Sequence, residues 1–505
     1  MQQVNRLIQS RKQTLARRGL LHLLASLMAA VPLAACAGAS GSATSAGTAV
    51  TTGVASSATS SASSAVGAAT TSATARSAAT TSAASSAAAA APTGTGTKIT
   101  FLSRGSLQYQ AVFKQSIANF QQQHPDITVE NQPVAASANF DQKLESLLAG
   151  SVAPDVFFGA AATFLVYPTK GATIALDSYA ARGVDFKASD YYPYWLKTMQ
   201  WQGKLVALPY DPDMVVLYYN KTLFDKAGLA YPDAKTALTW DQLLTLAQQL
   251  TVDNKGNRGS AVDPSQVVQY GLDSFSPRMW WHLPREHGID VFNSDLSKTT
   301  LDQPGAVDGL QTLVDLSAKY HVVPTAGTTK GPAINFQSDN LTMALNGGWQ
   351  RGLYLEQVKS AWDIAPMPQV QGKPPVGMGW ASGLMIPKQS KNADQGWQFL
   401  AYLAGQAGQQ LLLKEGISQP MLTSMAGDPV YTSPAEPSHK EVLLNEVTAG
   451  DPPPYIPAYM DIQTVVQTDL LNTTLSGKQN LQTAIATAVP KIDALLAQYK
   501  QQFGE

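Results

Sequence analysis

The chain has 505 residues, 44% of them hydrophobic, with 35 Lys and Arg against 36 Asp and Glu for a net charge of −1. That balance excludes polyanion binding as the main task, since nucleic acid demands a basic face, and electrostatics singles out no partner. A single cysteine, Cys36, excludes a disulfide framework, so stability has to come from core burial.

Residues 1–36 read as an export signal: basic Arg6, Arg11, Lys12, Arg17 and Arg18, an apolar run over 20–33, then small residues before Cys36. At about 14 residues the run is too short for a hydrocarbon core roughly 30 Å thick, which takes about 20 helical residues. Leu33-Ala34-Ala35-Cys36 resembles the lipobox of bacterial lipoproteins, in which the cysteine is diacylated and becomes the mature N-terminus. The implied location is outside the cytoplasm, tethered to the bacterial cell membrane through the lipid alone. Arg17-Arg18-Gly19-Leu20-Leu21 fits a twin-arginine export signal and equally an ordinary basic start. Residues 37–97 are almost wholly Ser, Thr, Ala and Gly, with one charge, Arg76. Such a segment has too little to bury to offset the entropy of ordering, so a disordered tether is expected, spanning roughly 45 Å at about 5–6 Å × √n.

Every Trp, Tyr and Phe lies after position 97, and at about 150 residues per domain the rest suggests two or three domains. Residues 98–103 read as a strand, followed by an amphipathic helix near 108–123 with Val112, Ile117 and Phe120 in its stripe. A strand at 127–129, a helix near 139–149 and a short apolar strand at 154–158 follow. That alternation argues for a parallel sheet wrapped by helices. A turn within 201–209 feeds a strand, and 213–220 forms a longer apolar one. Thr239-Trp240-Asp241-Gln242 opens a helix, with Thr239 as N-cap and Gln242 at N3. Another helix covers 302–320, strand character returns over 360–388, and 394–413 is helical. No repeat of 20–50 residues occurs, which disfavours a solenoid or propeller.

Several blocks then fall in order: Pro154-Asp155-Val156; Trp201-x-Gly203-Lys204-x-x-Ala207-x-Pro209; Leu217-Tyr218-Tyr219-Asn220-Lys221-x-Leu223-Phe224-x-Lys226-Ala227-Gly228-Leu229; Thr239-Trp240-Asp241-x-Leu243; Phe336-Gln337-Ser338 with Met343 and Gly347-Gly348-Trp349; and Trp362-x-Ile364-Ala365-Pro366-x-Pro368 with Gly377-x-Gly379. Over roughly 300 residues this set resembles the family 1 extracellular solute-binding proteins, receptors of bacterial ABC importers for sugars and related solutes. The resemblance implies an α/β fold of the periplasmic-binding-protein type II: two lobes joined by about three crossovers, with a hinge and an interlobe ligand cleft. The lobes would be 98–209 plus 366–420 and 210–365 plus 421–505. It further implies a monomer that delivers solute to ABC permease subunits, with no catalysis, cofactor or metal of its own and no nucleic acid partner. Maltodextrin-binding relatives carry Trp and Asp sugar contacts after the Pro-Asp-Val-Phe-Phe strand, where this chain has Gly159-Ala160-Ala161-Ala162, a departure that speaks against maltodextrin.

A sugar presents apolar C–H faces and a rim of hydroxyls, so its site needs flat aromatics and bidentate polar groups. Trp349 leads, because the glycines before it let backbone approach a ligand and leave the indole projecting; the alternative is a core Trp covering a sheet end. Trp280 and Trp281 are expected in a loop after Ser276-Pro277-Arg278, with one of the pair packing. Asp211 and Asp213, with Tyr210 beside them, lie where the family crosses between lobes, and in relatives an acidic residue aligned with Asp213 accepts sugar hydroxyls; a turn carboxylate is the alternative. Arg104, Ser106 and Gln108 follow the first strand, at the sheet end where open α/β folds place ligands. Trp380, Tyr455 and Tyr459 are further loop aromatics, Tyr455 stiffened by Pro452-Pro453-Pro454. Trp201, Trp240, Trp397, Tyr218 and Tyr219 fall in periodic segments and read as core.

Against an enzyme, His282-x-x-x-Glu286-His287 misses the spacing of the zinc motifs, so these residues are not expected to share a helix face. No nucleophile elbow or phosphate-binding loop occurs, while a glycosidase-like carboxylate pair stays open because sequence does not give its separation. The leading reading is a lipid-anchored binder of a mono- or oligosaccharide. A lipid-anchored carbohydrate-active enzyme, or a binder of a non-sugar solute such as a glycerol phosphate, is the alternative.

Overall fold

The first strand, β1 (Thr97–Arg104), buries Ile99, Phe101, Leu102 and Ser103, so both its faces are covered and it belongs inside a sheet. The computed structural model describes residues 96–134, 139–273, 279–324, 334–433 and 436–503. Cys36, the export signal and the tether up to 95 lie outside the described residues, as do residues 274–278.

Helix α1 (Leu107–Gln123) follows β1, its first turn capped by the Ser106 side chain, which accepts the Tyr109 N–H at 3.5 Å. It lays Val112, Phe113, Ile117 and Phe120 on the sheet. Then come β2 (Ile127–Val134), α2 (Phe140–Ala149) and β3 (Val156–Gly159), with β2 and β3 flanking β1 in parallel. The expected strand-helix alternation is therefore present. The turn expected within 201–209 is a hairpin of β4 (Gln200–Trp201) and β5 (Lys204–Leu205), whose two turn residues, Gln202 and Gly203, both have positive φ (48° and 72°). That conformation matches the twist of a two-residue hairpin. The strand it feeds is β6 (Leu208–Pro209).

In β7 (Asp213–Asn220) all eight residues are buried, as befits a strand inside the second sheet. The Asn220 side chain caps α3 (Lys221–Ala227), and Gly228, at φ 67°, ends it. The expected capping box opens α4 (Trp240–Leu250): Thr239 Oγ1 accepts from the Gln242 N–H at 3.2 Å, and Gln242 Oε1 accepts from the Thr239 N–H at 2.8 Å. There follow β8 (Val252–Asp253), β9 (Val267–Leu272), α5 (Met279–Glu286), α6 (Pro304–Ala318), β10 (Leu341–Gly347), α7 (Arg351–Gln357) and β11 (Trp362–Ala365). After β12 (Gly379–Trp380) and β13 (Gly383–Met385), the helix expected over 394–413 is two, α8 (Ala393–Ala404) and α9 (Gln406–Lys414). Gly405 separates them, with extended backbone at ψ 179°. Helix α10 (Glu441–Thr448) and a helical stretch over 459–475 precede the closing helix α11 (Leu481–Phe503).

Two α/β lobes result. One sheet runs β2-β1-β3-β13-β6 and the other β11-β7-β10-β9-β8, with β12 also on β7. Three passages join the lobes and bind one another. Between β6 and β7 the chain crosses at 210–212, between β12 and β13 at 381–382, and after α9 at 416–419. Ser418 Oγ donates to Pro212 O at 3.1 Å, Gln419 Oε1 accepts from the Met214 N–H at 3.1 Å, and Gln409 Nε2 donates to Tyr210 O at 2.8 Å. The segment from 366, expected to return to the first lobe, pairs with β7 through β12 before the chain enters the first sheet at Gly383.

Candidate functional site

Part of the candidate set, Trp349, Trp380, Asp211, Asp213 and Tyr210, meets at the lobe junction, where β7 begins, β10 ends and β12 crosses. Backbone closeness there depends on two glycines with different tasks. A Cβ on Gly347 would come 1.8 Å from Cζ3 of Trp349, and one on Gly348 would come 2.1 Å from Oδ1 of Asp213. Gly347 thus lets the Trp349 indole fold over its own backbone, where the sequence reading had it projecting, and Gly348 lets a carboxylate nestle against the chain. The half-buried Trp349 ring packs on Trp380 at 5.0 Å between centroids and 33° between planes. Trp380, expected in a loop, is in β12 and pairs with Asp213 across the strands.

Asp213 is 2% exposed, and neither carboxylate oxygen receives a hydrogen bond of good geometry from the described residues. Burial pushes its carboxyl well up; the Arg351 guanidinium is the strongest influence pulling it back, with the Gly348 and Met214 backbone helping. Arg351, on the first turn of α7, is itself 1% exposed, with all three guanidinium nitrogens unpartnered among the described residues and the group 5.3 Å from the centre of the Tyr431 ring. The neighbouring Asp211 is half-buried and held: Tyr109 donates its hydroxyl proton to Oδ2 at 3.0 Å, and the Ser382 N–H donates to Oδ1 at 2.7 Å. Its carboxyl is raised by burial, against those hydrogen bonds. Asp211 thereby ties α1 of one lobe to two crossovers. Tyr210 is fully buried, stacked on Phe113 at 5.4 Å, and packs the junction from beneath.

Arg104 stands at the end of β1, half-buried, with its guanidinium 5.9 Å from the Phe158 ring centre and 6.0 Å from that of Phe140. Ser106 is used as the cap of α1, and the exposed Gln108 donates to Glu415 O at 3.0 Å. The remaining candidates gather elsewhere. Trp280 and Trp281, expected in a loop, lie in helix α5 and are 0% exposed. Trp280 stacks on Tyr459 at 6.2 Å and 26°, and Tyr459 meets the Tyr455 ring edge-on at 4.7 Å and 77°. Tyr459, also expected in a loop, begins a helix, Tyr459–Val465. Trp280, Tyr459 and Tyr455 form a core cluster of the second lobe, while the buried Trp281 has the Arg285 guanidinium 5.4 Å from its ring centre.

His282 and Glu286 correct another expectation, since they do share a face of α5. His282 Nε2 lies 3.0 Å from Glu286 Oε1, and the Trp240 indole N–H donates to Oε2. Sequence reasoning missed Tyr109, Ser382 and Arg351. Arg351 had a signal, lying one helical half-turn after Trp349; the other two depend on contacts across more than a hundred positions. What the junction offers chemically is a pair of indoles, a phenol and two carboxylates, a set suited to stacking and to accepting hydrogen bonds.

The sequence profile of the bacterial extracellular solute-binding proteins matches residues 104–410. The lactose-binding protein of Rhizobium radiobacter is 23% identical over 338 residues, 64% of this chain and 75% of that protein. Two solved structures share the fold with a TM-score of 0.68 each. One is an ABC substrate-binding protein of Listeria monocytogenes in complex with cycloalternan, 22% identical, covering 81% of this chain and 99% of its own. The other is the sugar-binding protein MalE of Xanthomonas citri, 19% identical, covering 81% and 100%.

Proposed function

The chain belongs to the bacterial extracellular solute-binding proteins, and from that premise we propose that it captures a mono- or oligosaccharide between its lobes and delivers it to an ABC import permease. The observation that carries this reading is the Trp349–Trp380 pair beside Asp213 and Asp211. Indole faces suit the C–H faces of a pyranose, and the carboxylates suit its hydroxyls. The lactose, cycloalternan and sugar relatives support the same solute class. Cys36 would carry the lipid that keeps the receptor at the membrane, and ATP hydrolysis would belong to the partner subunits.

A thermal-shift screen of the full-length chain against mono- and oligosaccharides, polyols and glycerol phosphates, followed by calorimetry on whatever stabilises it, tests the reading. A saturable carbohydrate supports it. Stabilisation by a glycerol phosphate alone, or cleavage of an oligosaccharide, overturns it. Lipid labelling that survives Cys36→Ser would overturn the anchor.

A further inference from the structure

Away from the lobe junction, the turn at 234–237 ahead of α4, the segments 366–369 and 375–376, and the last turn of α10 enclose a cavity of about 330 Å³, within the range of small-ligand sites. Its wall is largely apolar, with Pro366, Met367, Pro368, Pro375 and Val376. Glu446 is the one acidic side chain that lines it, and it is 9% exposed. One Glu446 oxygen accepts the Met367 N–H at 3.1 Å. Glu286 on α5, held by Trp240 and His282, adds like charge, and the exposed lining residue Lys235 makes no ion pair with Glu446 among the described residues. Burial first, and the Glu286 charge as well, push the Glu446 carboxyl up to about 8 against the pull of the Met367 N–H.

A buried carboxyl without a counter-ion costs stability once ionised. Facing an apolar hollow, it complements an alkyl chain that ends in a cation. A divalent metal would need several oxygen or nitrogen ligands, and no group of three His, Cys, Asp or Glu side chains is gathered to hold one among the described residues. We propose that this cavity is a second binding site, independent of the lobe junction, for a small primary alkylammonium ion whose chain lies on the proline wall and whose ammonium group meets Glu446. Because the ammonium pairs with the ionised carboxylate, the protonated acid gives its proton to the buffer on binding, and affinity rises with pH between 6 and 8.5 while the amine stays charged.

The test is calorimetric titration of the full-length chain with n-butylammonium chloride at pH 6 and 8.5, and at pH 7 in two buffers of different ionisation enthalpy, with n-butanol as the neutral control. One saturable site, at least tenfold tighter at pH 8.5, with close to one proton released at pH 7 and no response to n-butanol, is expected. Glu446→Gln should weaken binding at least tenfold, as should Thr448→Trp, which narrows the cavity from its exposed side without touching the acid. Solute held at the lobe junction should bind both variants as it binds the parent. Saturation that ignores both substitutions, n-butanol binding equally well, or no saturable heat at pH 8.5 overturns the proposal.

Discussion

Trp349 lies folded over Gly347 with one side against Trp380, so the indole is already oriented before any solute arrives. Preorganised aromatics of this kind concentrate binding energy. Trp349→Ala should weaken solute binding by about 2 kcal/mol or more, roughly thirtyfold, in a calorimetric titration. Because the ring is only half-buried, the ligand-free melting temperature should fall far less than the loss of a fully buried Trp, about 3–5 kcal/mol, would produce. Glu446 gives a second prediction at this scale. Its folded carboxyl titrates near 8, well above the ordinary carboxylate range, so between those values the native state holds more protons than the unfolded one and stability falls as pH rises. The stability is fully present below the unfolded value and is lost by the time pH passes about 8. Glu446→Gln should remove that slope, gaining on the parent by up to about 1.4 kcal/mol per pH unit from pH 5 to 8 in denaturant titrations. A pH-independent difference between the two proteins would contradict it.

At the scale of elements, what was legible in the sequence was whatever is decided locally. The bounds of β7 follow from six consecutive apolar or strand-favouring positions, 214–219, flanked by Asp213 and Asn220, and the start of α4 follows from Thr239 and Gln242, which satisfy each other's backbone. Helix α5 was not legible, because Pro284 sits inside it and a Ser-Pro-Arg precedes it, both signs of a broken chain. Its burial against Tyr459 and α6 overrides those local preferences, and the same burial takes Trp280 and Trp281 away from the junction. The candidate site was half legible for the same reason. Trp349, Asp211 and Asp213 are marked by the glycines and prolines beside them, whereas Tyr109 and Ser382 reach Asp211 only through the fold. The cap makes a clean test of the local half: Thr239→Ala should cost about 1 kcal/mol and lower the melting temperature by about 2 °C, leaving solute affinity unchanged.

For the whole molecule the question is how two lobes tied by three passages move. The passage at 210–212 is hydrogen-bonded to 416–419 through Ser418, Gln419 and Gln409 and to 381–382 through the Tyr210 N–H on Ser382 O and the Ser382 N–H on Asp211, so the three would flex as one strip rather than as three independent linkers. Asp211 adds a tie from that strip to α1, and Asp213 with Arg351 lies on its other side. A solute touching Trp349 on one lobe and residues near Arg104 on the other would favour the state in which both contacts are made, shifting an open–closed equilibrium by its differential affinity for the two states. A permease that discriminates the closed surface would then read occupancy. Small-angle scattering of the full-length chain should therefore show a smaller radius of gyration for the folded part at saturating solute, and tryptophan emission should change over the same concentration range as the junction indoles leave water. If calorimetry confirms binding while the scattering curve stays fixed, closure is refuted, and the junction is a rigid pocket whose occupancy a permease would have to sense through the solute itself.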